Sequence, residues 1–140
     1  MLKGILSISG HSGLFKMVAE SKNNIIVESL ETKKRMPVYS SAKVSALEDI
    51  AIYTYEGDVP LIEVFKSISD KEEGGTALSP KSSGNELKAY FEEVVPEYDI
   101  DRVYVSDIKK VLLWYNNLQA QDLLDFSELV EEKDESEDKD

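Results

Sequence analysis

Cysteine is absent from this 140-residue chain, which excludes disulfides, thiol nucleophiles, iron–sulfur clusters and thiolate zinc sites. Histidine is nearly absent. His11 is the single one, so no multi-histidine metal centre can be assembled, and a Ser-His-Asp triad would rest on that residue alone. Basic residues are few, 16 against 28 acidic, for a formal net charge of −12. Long-range repulsion of phosphates then opposes a strong general affinity for nucleic acid. No apolar run approaches the roughly 18–20 residues that span a bilayer. The opening MLKGILSISG is interrupted by Gly4, Ser7, Ser9 and Gly10, short of the roughly 7–15 continuous apolar residues of a secretory signal. A cytoplasmic location is the simplest expectation.

What is present points to a packed soluble fold: 41% hydrophobic and 31% charged residues. The length suits one domain or two small modules sharing a core. Charge is unevenly placed. Residues 1–57 carry a net +1, residues 58–127 a net −7, and ELVEEKDESEDKD from Glu128 onward a net −6. The last segment has too little apolar surface to offset its ordering entropy, so it is expected to be a disordered acidic tail.

Residues 1–57 read as a small β module. Strand-like runs cover Leu2–Ile8, Leu14–Ala19, Ile25–Leu30, Arg35–Tyr39 and Asp49–Tyr55, separated by Gly-, Asn- and Lys-containing turns. Ser45 and Glu48 have capping-box spacing, which predicts one helical turn before the last strand. Five short strands with that turn are the plan of an SH3-like barrel.

Residues 58–127 read as a helical module. Asp58-Val-Pro60 is a helix-start signal, followed by Leu61, Val64, Phe65 and Ile68 at i, i+3, i+4, i+7. Gly74-Gly75 ends that helix, and GGTALSPKSSG reads as a loop. Ser83 or Asn85 caps a second helix with Leu87, Tyr90, Phe91 and Val94 on one face, stopped at Pro96. An extended connector over residues 97–105 leads to the longest helix, started by Ser106 and Asp107, with Ile108, Val111, Leu112, Tyr115 and Leu118 inward. The apolar pattern resumes at Leu123, Leu124 and Phe126. The expected fold is α+β: an N-terminal SH3-like β-barrel (1–57), a three-helix half (58–127) and a disordered tail (128–140).

The segments LKGILSISG, IIVESL, SALEDIAIYT, VPLIEVF and SPKSSGNELKAYFEEVVPEYDIDRVYVSDIKKVLLWYN, read together, resemble a family of uncharacterised Bacteroidetes proteins known as a domain of unknown function. The resemblance spans about residues 1–118. It implies a bacterial cytoplasmic protein and is compatible with a barrel followed by helices. It transfers no catalytic residue.

Candidate chemistry is sparse. His11 lies in Ser9-Gly-His-Ser-Gly13, beside hydroxyls that a histidine base would activate. The pattern is neither G-x-S-x-G nor a phosphate-binding loop, and a turn between two strands accounts for it. Glu97, Asp99 and Asp101 alternate as cation ligands on an extended strand would. The EF-hand pattern fails, however, and Arg102 offers a salt-bridge role instead. Glu92, Glu93 and Glu97, or Glu72 with Glu73, read as solvated helix faces rather than acid–base pairs. No metal and no cofactor are expected.

Lys33, Lys34 and Arg35 are the one basic concentration, at a hairpin tip with Lys16, Lys22 and Lys43 in the same half. They would meet RNA phosphates, with Tyr39, Tyr53 and Tyr55 as stacking groups. The alternative is lysine protection of a sheet edge. Trp114, Tyr104 and Tyr98 are the candidate anchors for a protein partner, and the core competes for the same aromatic rings. The leading expectation is a non-enzymatic interaction module that binds a protein partner or itself. The alternative is an RNA- or ribosome-associated factor using Lys33–Arg35.

Overall fold

Hydrophobic alternation in the first fifty residues produces five short strands: β1 (Ile5–Ile8), β2 (Phe15–Glu20), β3 (Asn24–Ser29), β4 (Arg35–Tyr39) and β5 (Val44–Ala46). This computed structural model describes residues 2–126 except Ser12 and Ser40, so the expected acidic tail lies outside the described residues. The strands form one antiparallel sheet in the order β4-β3-β2-β1-β5. Gly10 and Gly13, at φ +87° and +84°, shape the β1–β2 turn. Only glycine adopts such angles without steric cost.

The sheet stays open. β4 and β5 are its edges, so the SH3-like barrel expected over residues 1–57 is not closed among the described residues. The segment expected as the fifth strand goes elsewhere. Its place beside β1 is taken by β5, with Leu6 opposite Ala46 and Ile8 opposite Val44. The expected helical turn forms, directly after β5 and before the segment expected as the last strand. It is a 3₁₀ turn over Leu47–Asp49, flanked by Ala46 with no side-chain cap, so the Ser45–Glu48 box does not form. β6 (Ala51–Thr54) then pairs with β7 (Gly57–Pro60) in a separate two-stranded sheet.

A helix does start directly after Asp58-Val-Pro60, but Asp58 does not cap it. Asp58 and Val59 are extended and lie opposite Tyr53 and Ile52. Pro60, with no N–H to give the ladder, sits at the strand end and is itself the flanking residue of α1 (Leu61–Glu72). Leu61 N–H donates instead to Ile50 O at 3.0 Å.

The helices follow their apolar stripes. α1 buries Leu61, Val64, Phe65 and Ile68, and it ends where Glu73 turns left-handed. α2 (Gly84–Val94) is capped by Ser83, whose Oγ accepts from Glu86 N–H at 3.2 Å, and buries Leu87, Tyr90, Phe91 and Val94. α3 (Val105–Ala120) buries Ile108, Val111, Leu112, Tyr115 and Leu118, together with Trp114. It starts after Tyr104 rather than at Ser106, because Tyr104 N–H donates to the Asp107 carboxylate at 2.9 Å. Leu124 and Phe126 pack against the core beyond the helix end.

The α1–α2 loop is held down by α3. Tyr115 O–H donates to Gly75 O, and Ala77 N–H donates to Asn116 Oδ1, each at 2.8 Å. Among the described residues no helix is long and apolar enough to cross a membrane.

Candidate interaction surface

The alternation of β6 sets the surface. Ile52 and Thr54 are buried, while Tyr53 and Tyr55 point out, 43% and 63% exposed. The chain returning from α2 runs along this strand. Tyr55 N–H donates to Glu97 O and Asp99 N–H donates to Tyr53 O, both at 2.9 Å, and Thr54 pairs with Tyr98 between them. The connector is thus tied to β6 by a single antiparallel bridge.

Strand pairing brings the next residues against the two tyrosines. Ile100 N–H donates to Tyr55 Oη at 3.2 Å, and its side chain is 63% exposed. Arg102 lies over the Tyr53 ring, 4.4 Å from its centroid, a cation–π contact. Its Nε donates to Asp99 Oδ2 at 2.8 Å, which holds the Asp99 carboxyl below its ordinary range. An arginine clamped by a carboxylate and an aromatic ring has already lost side-chain freedom, so less entropy is lost when a partner binds.

A groove of about 560 Å³ opens next to this patch, between β7, α1 and the end of α2. Glu56, Asp58, Glu63 and Glu97 line it, with no lysine or arginine among the described residues. The Glu56 carboxyl beside that of Glu97 pushes the Glu97 pKa upward. Two carboxyls share a proton more readily than both ionise side by side.

The residues singled out from the sequence are scattered. Tyr98 and Trp114 are buried, Tyr98 edge-on against Phe91 at 5.1 Å. Tyr104 is 64% exposed, two residues beyond Arg102. Lys33 sits left-handed (φ 65°) in the β3–β4 turn, and its Nζ donates to Gln121 Oε1 at 3.1 Å. Arg35 and Lys16 both pair with Glu28, at 3.1 and 3.5 Å. Lys34 has no side-chain partner among the described residues. Asp99 is engaged by Arg102 and by Asp101 N–H. Glu97 faces Glu56 instead, so Glu97, Asp99 and Asp101 do not converge on a common point. Among the described residues no three acidic or histidine side chains form a metal-binding group.

Ile100 and the stacking of Arg102 were not foreseen. The one local signal was an isoleucine standing alone between aspartates in Asp99-Ile-Asp-Arg102, where a connector has no evident need of a large apolar side chain.

Residues 2–47 match a family model described as Domain of unknown function (DUF5606), and residues 50–118 match Domain of unknown function (DUF6852). No curated protein matches. A solution NMR structure of a structural-genomics target from Bacteroides vulgatus is similar, with 48% identity and a TM-score of 0.75 over 90% of this chain and 91% of that one. At that identity over nine-tenths of both chains, the protein belongs with its Bacteroides relative to the family of these domains of unknown function.

Proposed function

We propose that the protein is a non-enzymatic protein-interaction module, and that Tyr53, Tyr55, Ile100 and Arg102 dock a partner protein with an apolar centre and a basic rim. The observation that carries this reading is the convergence of two exposed tyrosines, an exposed isoleucine and a ring-stacked arginine on one small sheet. Tyrosine and arginine are enriched among residues that dominate binding energy. Glu56, Asp58, Glu97 and Asp101 surround the patch, and charge complementarity then calls for lysines or arginines on the partner. The strand order of the five-stranded sheet, which returns β5 to the side of β1, also fits the plan of small SH3-like interaction scaffolds, though without closure.

The test is a pull-down from native cell extract, in nuclease-treated and untreated halves, with the wild type and a Tyr53→Ala/Tyr55→Ala variant. A discrete protein should survive nuclease, disappear with the double variant and be captured less as salt rises. Recovery of the chain itself would identify the partner as a second copy. Loss of all partners with nuclease, or capture unchanged by the variant, would overturn the reading. So would a reproducible turnover abolished by one polar substitution.

A further inference from the structure

A second concave site differs from the acidic groove in chemical character. We propose that the trough between the β1–β2 turn and α3 binds a small organic anion, a carboxylate or phosphate monoester carrying an apolar body. Lys110, Leu113 and Trp114 follow one stripe of α3 and face Ser7, Ser9 and His11 across a cavity of about 280 Å³.

The wall chemistry selects the ligand. Among the described residues its polar side chains are an ammonium, an imidazole and two hydroxyls, all of which donate hydrogen bonds, and none of the described lining residues is a carboxylate. In a chain of net charge −12, with a larger groove lined by four carboxylates, a concave wall free of them stands apart. Lys66, Lys71 and Arg102 each hold an acidic partner, whereas Lys110 has none among the described residues. Leu113 and Trp114 supply the apolar side.

At the Gly13 end, a Cβ would lie 3.8 Å from Asn117 Nδ2 and 3.9 Å from Glu31 Oε2, and neither residue lines the trough, so the anionic group is placed at the Lys110 end, away from that carboxylate. The volume equals about nine waters, which suits a ligand of roughly ten non-hydrogen atoms. Lys110 and Trp114 also line a neighbouring cavity of about 150 Å³ that reaches Tyr53 and Arg102, so an occupied trough would adjoin the docking patch.

Trp114 is the single tryptophan, so its indole N–H gives one unambiguous NMR signal. The full chain, labelled with ¹⁵N, is titrated with phenyl phosphate, benzoate, inorganic phosphate and benzyl alcohol. Phenyl phosphate or benzoate should shift the Trp114 indole and the Ser9 and His11 amides saturably, with a Kd on the order of 1 mM or tighter. Lys110→Met should weaken that binding about tenfold, while Lys88→Met, on the exposed side of α2, should leave it unchanged. His11→Ala provides a second variant should Lys110→Met fail to fold. Absence of saturable shifts at these signals would overturn the proposal. So would equal binding of benzyl alcohol, or wild-type affinity in both trough variants. Inorganic phosphate bound as tightly as phenyl phosphate would overturn the apolar body.

Discussion

The two halves of the molecule are buried very unequally. Inside the five-stranded sheet, Ile8, Phe15, Val27 and Val38 form a cluster of four buried side chains. Around the helices and the β6–β7 hairpin, 24 buried side chains among the described residues form another, and Leu2, Ile5, Leu14, Leu30 and Leu47 of the N-terminal half belong to it. A four-residue cluster cannot offset the ordering entropy of five strands. The sheet therefore depends on the helices, to which it contributes those five side chains.

The largest expected effect comes from the larger cluster. Phe65 is fully buried, so Phe65→Ala should cost about 3–5 kcal/mol in a urea titration. If the sheet depends on the helices, strand and helix signals should be lost together. Val27→Ala, at the centre of the smaller cluster, should cost about 2 kcal/mol, and amide exchange should quicken in β2–β4 before α1–α3. Uniform acceleration over the whole chain would mean that the two clusters act as one. Tyr115→Phe removes the hydrogen bond to Gly75 O while keeping the ring. It should cost about 1 kcal/mol and quicken exchange in the loop around Gly75 rather than in the sheet.

The smallest effects concern charge, and they carry opposite signs in the two halves. Hydrogen bonding to Arg35, with Lys16 nearby, holds the Glu28 carboxyl below its ordinary range. Its contribution is present above that range and lost as pH falls through the lowered value. The Glu56 contact raises Glu97, so the folded state takes up a proton more readily than the unfolded one. That contribution is present in acid and lost as pH rises through the raised value. Glu28→Gln should therefore lower the urea midpoint at neutral pH and not in acid, whereas Glu56→Gln should raise it at neutral pH and not in acid. Both shifts should be small because the groups are solvated.

Helical structure was legible because its signals are local. Leu61, Val64, Phe65 and Ile68 announce a buried face within two turns, and all four are buried. The stripes of α2 and α3 were read in the same way. Strand pairing is not local. Asp49–Tyr55 looks like a barrel strand, and nothing near it in sequence says that Gly57–Pro60 will pair with it while Val44–Ala46 takes its place beside β1. Asp58-Val-Pro60 was legible in part: α1 starts directly after it, but that Asp58 and Val59 pair with β6 instead of capping the helix shows only once the partner strand is known.

The interaction surface was legible in part. Tyr53 and Tyr55 drew notice only as stacking groups for RNA, beside Tyr39, and Arg102 as a salt-bridge partner. That they share one patch with Ile100 depends on the pairing of β6 with residues 97–99, which no spacing records.

The segment between α1 and α2 has one more consequence. Its Gly, Ser and Pro content is that of a site where proteases nick a chain, and it would be a natural place to open a circular permutant or insert a tag. Yet Tyr115 and Asn116 grip it at Gly75 and Ala77, and Ala77 is buried. A protease must first pull both anchors free to seat the strand in its cleft. Digestion of the folded chain should therefore spare this stretch, and inserted sequence there should be tolerated only beyond the second anchor, toward Ser79–Ser82.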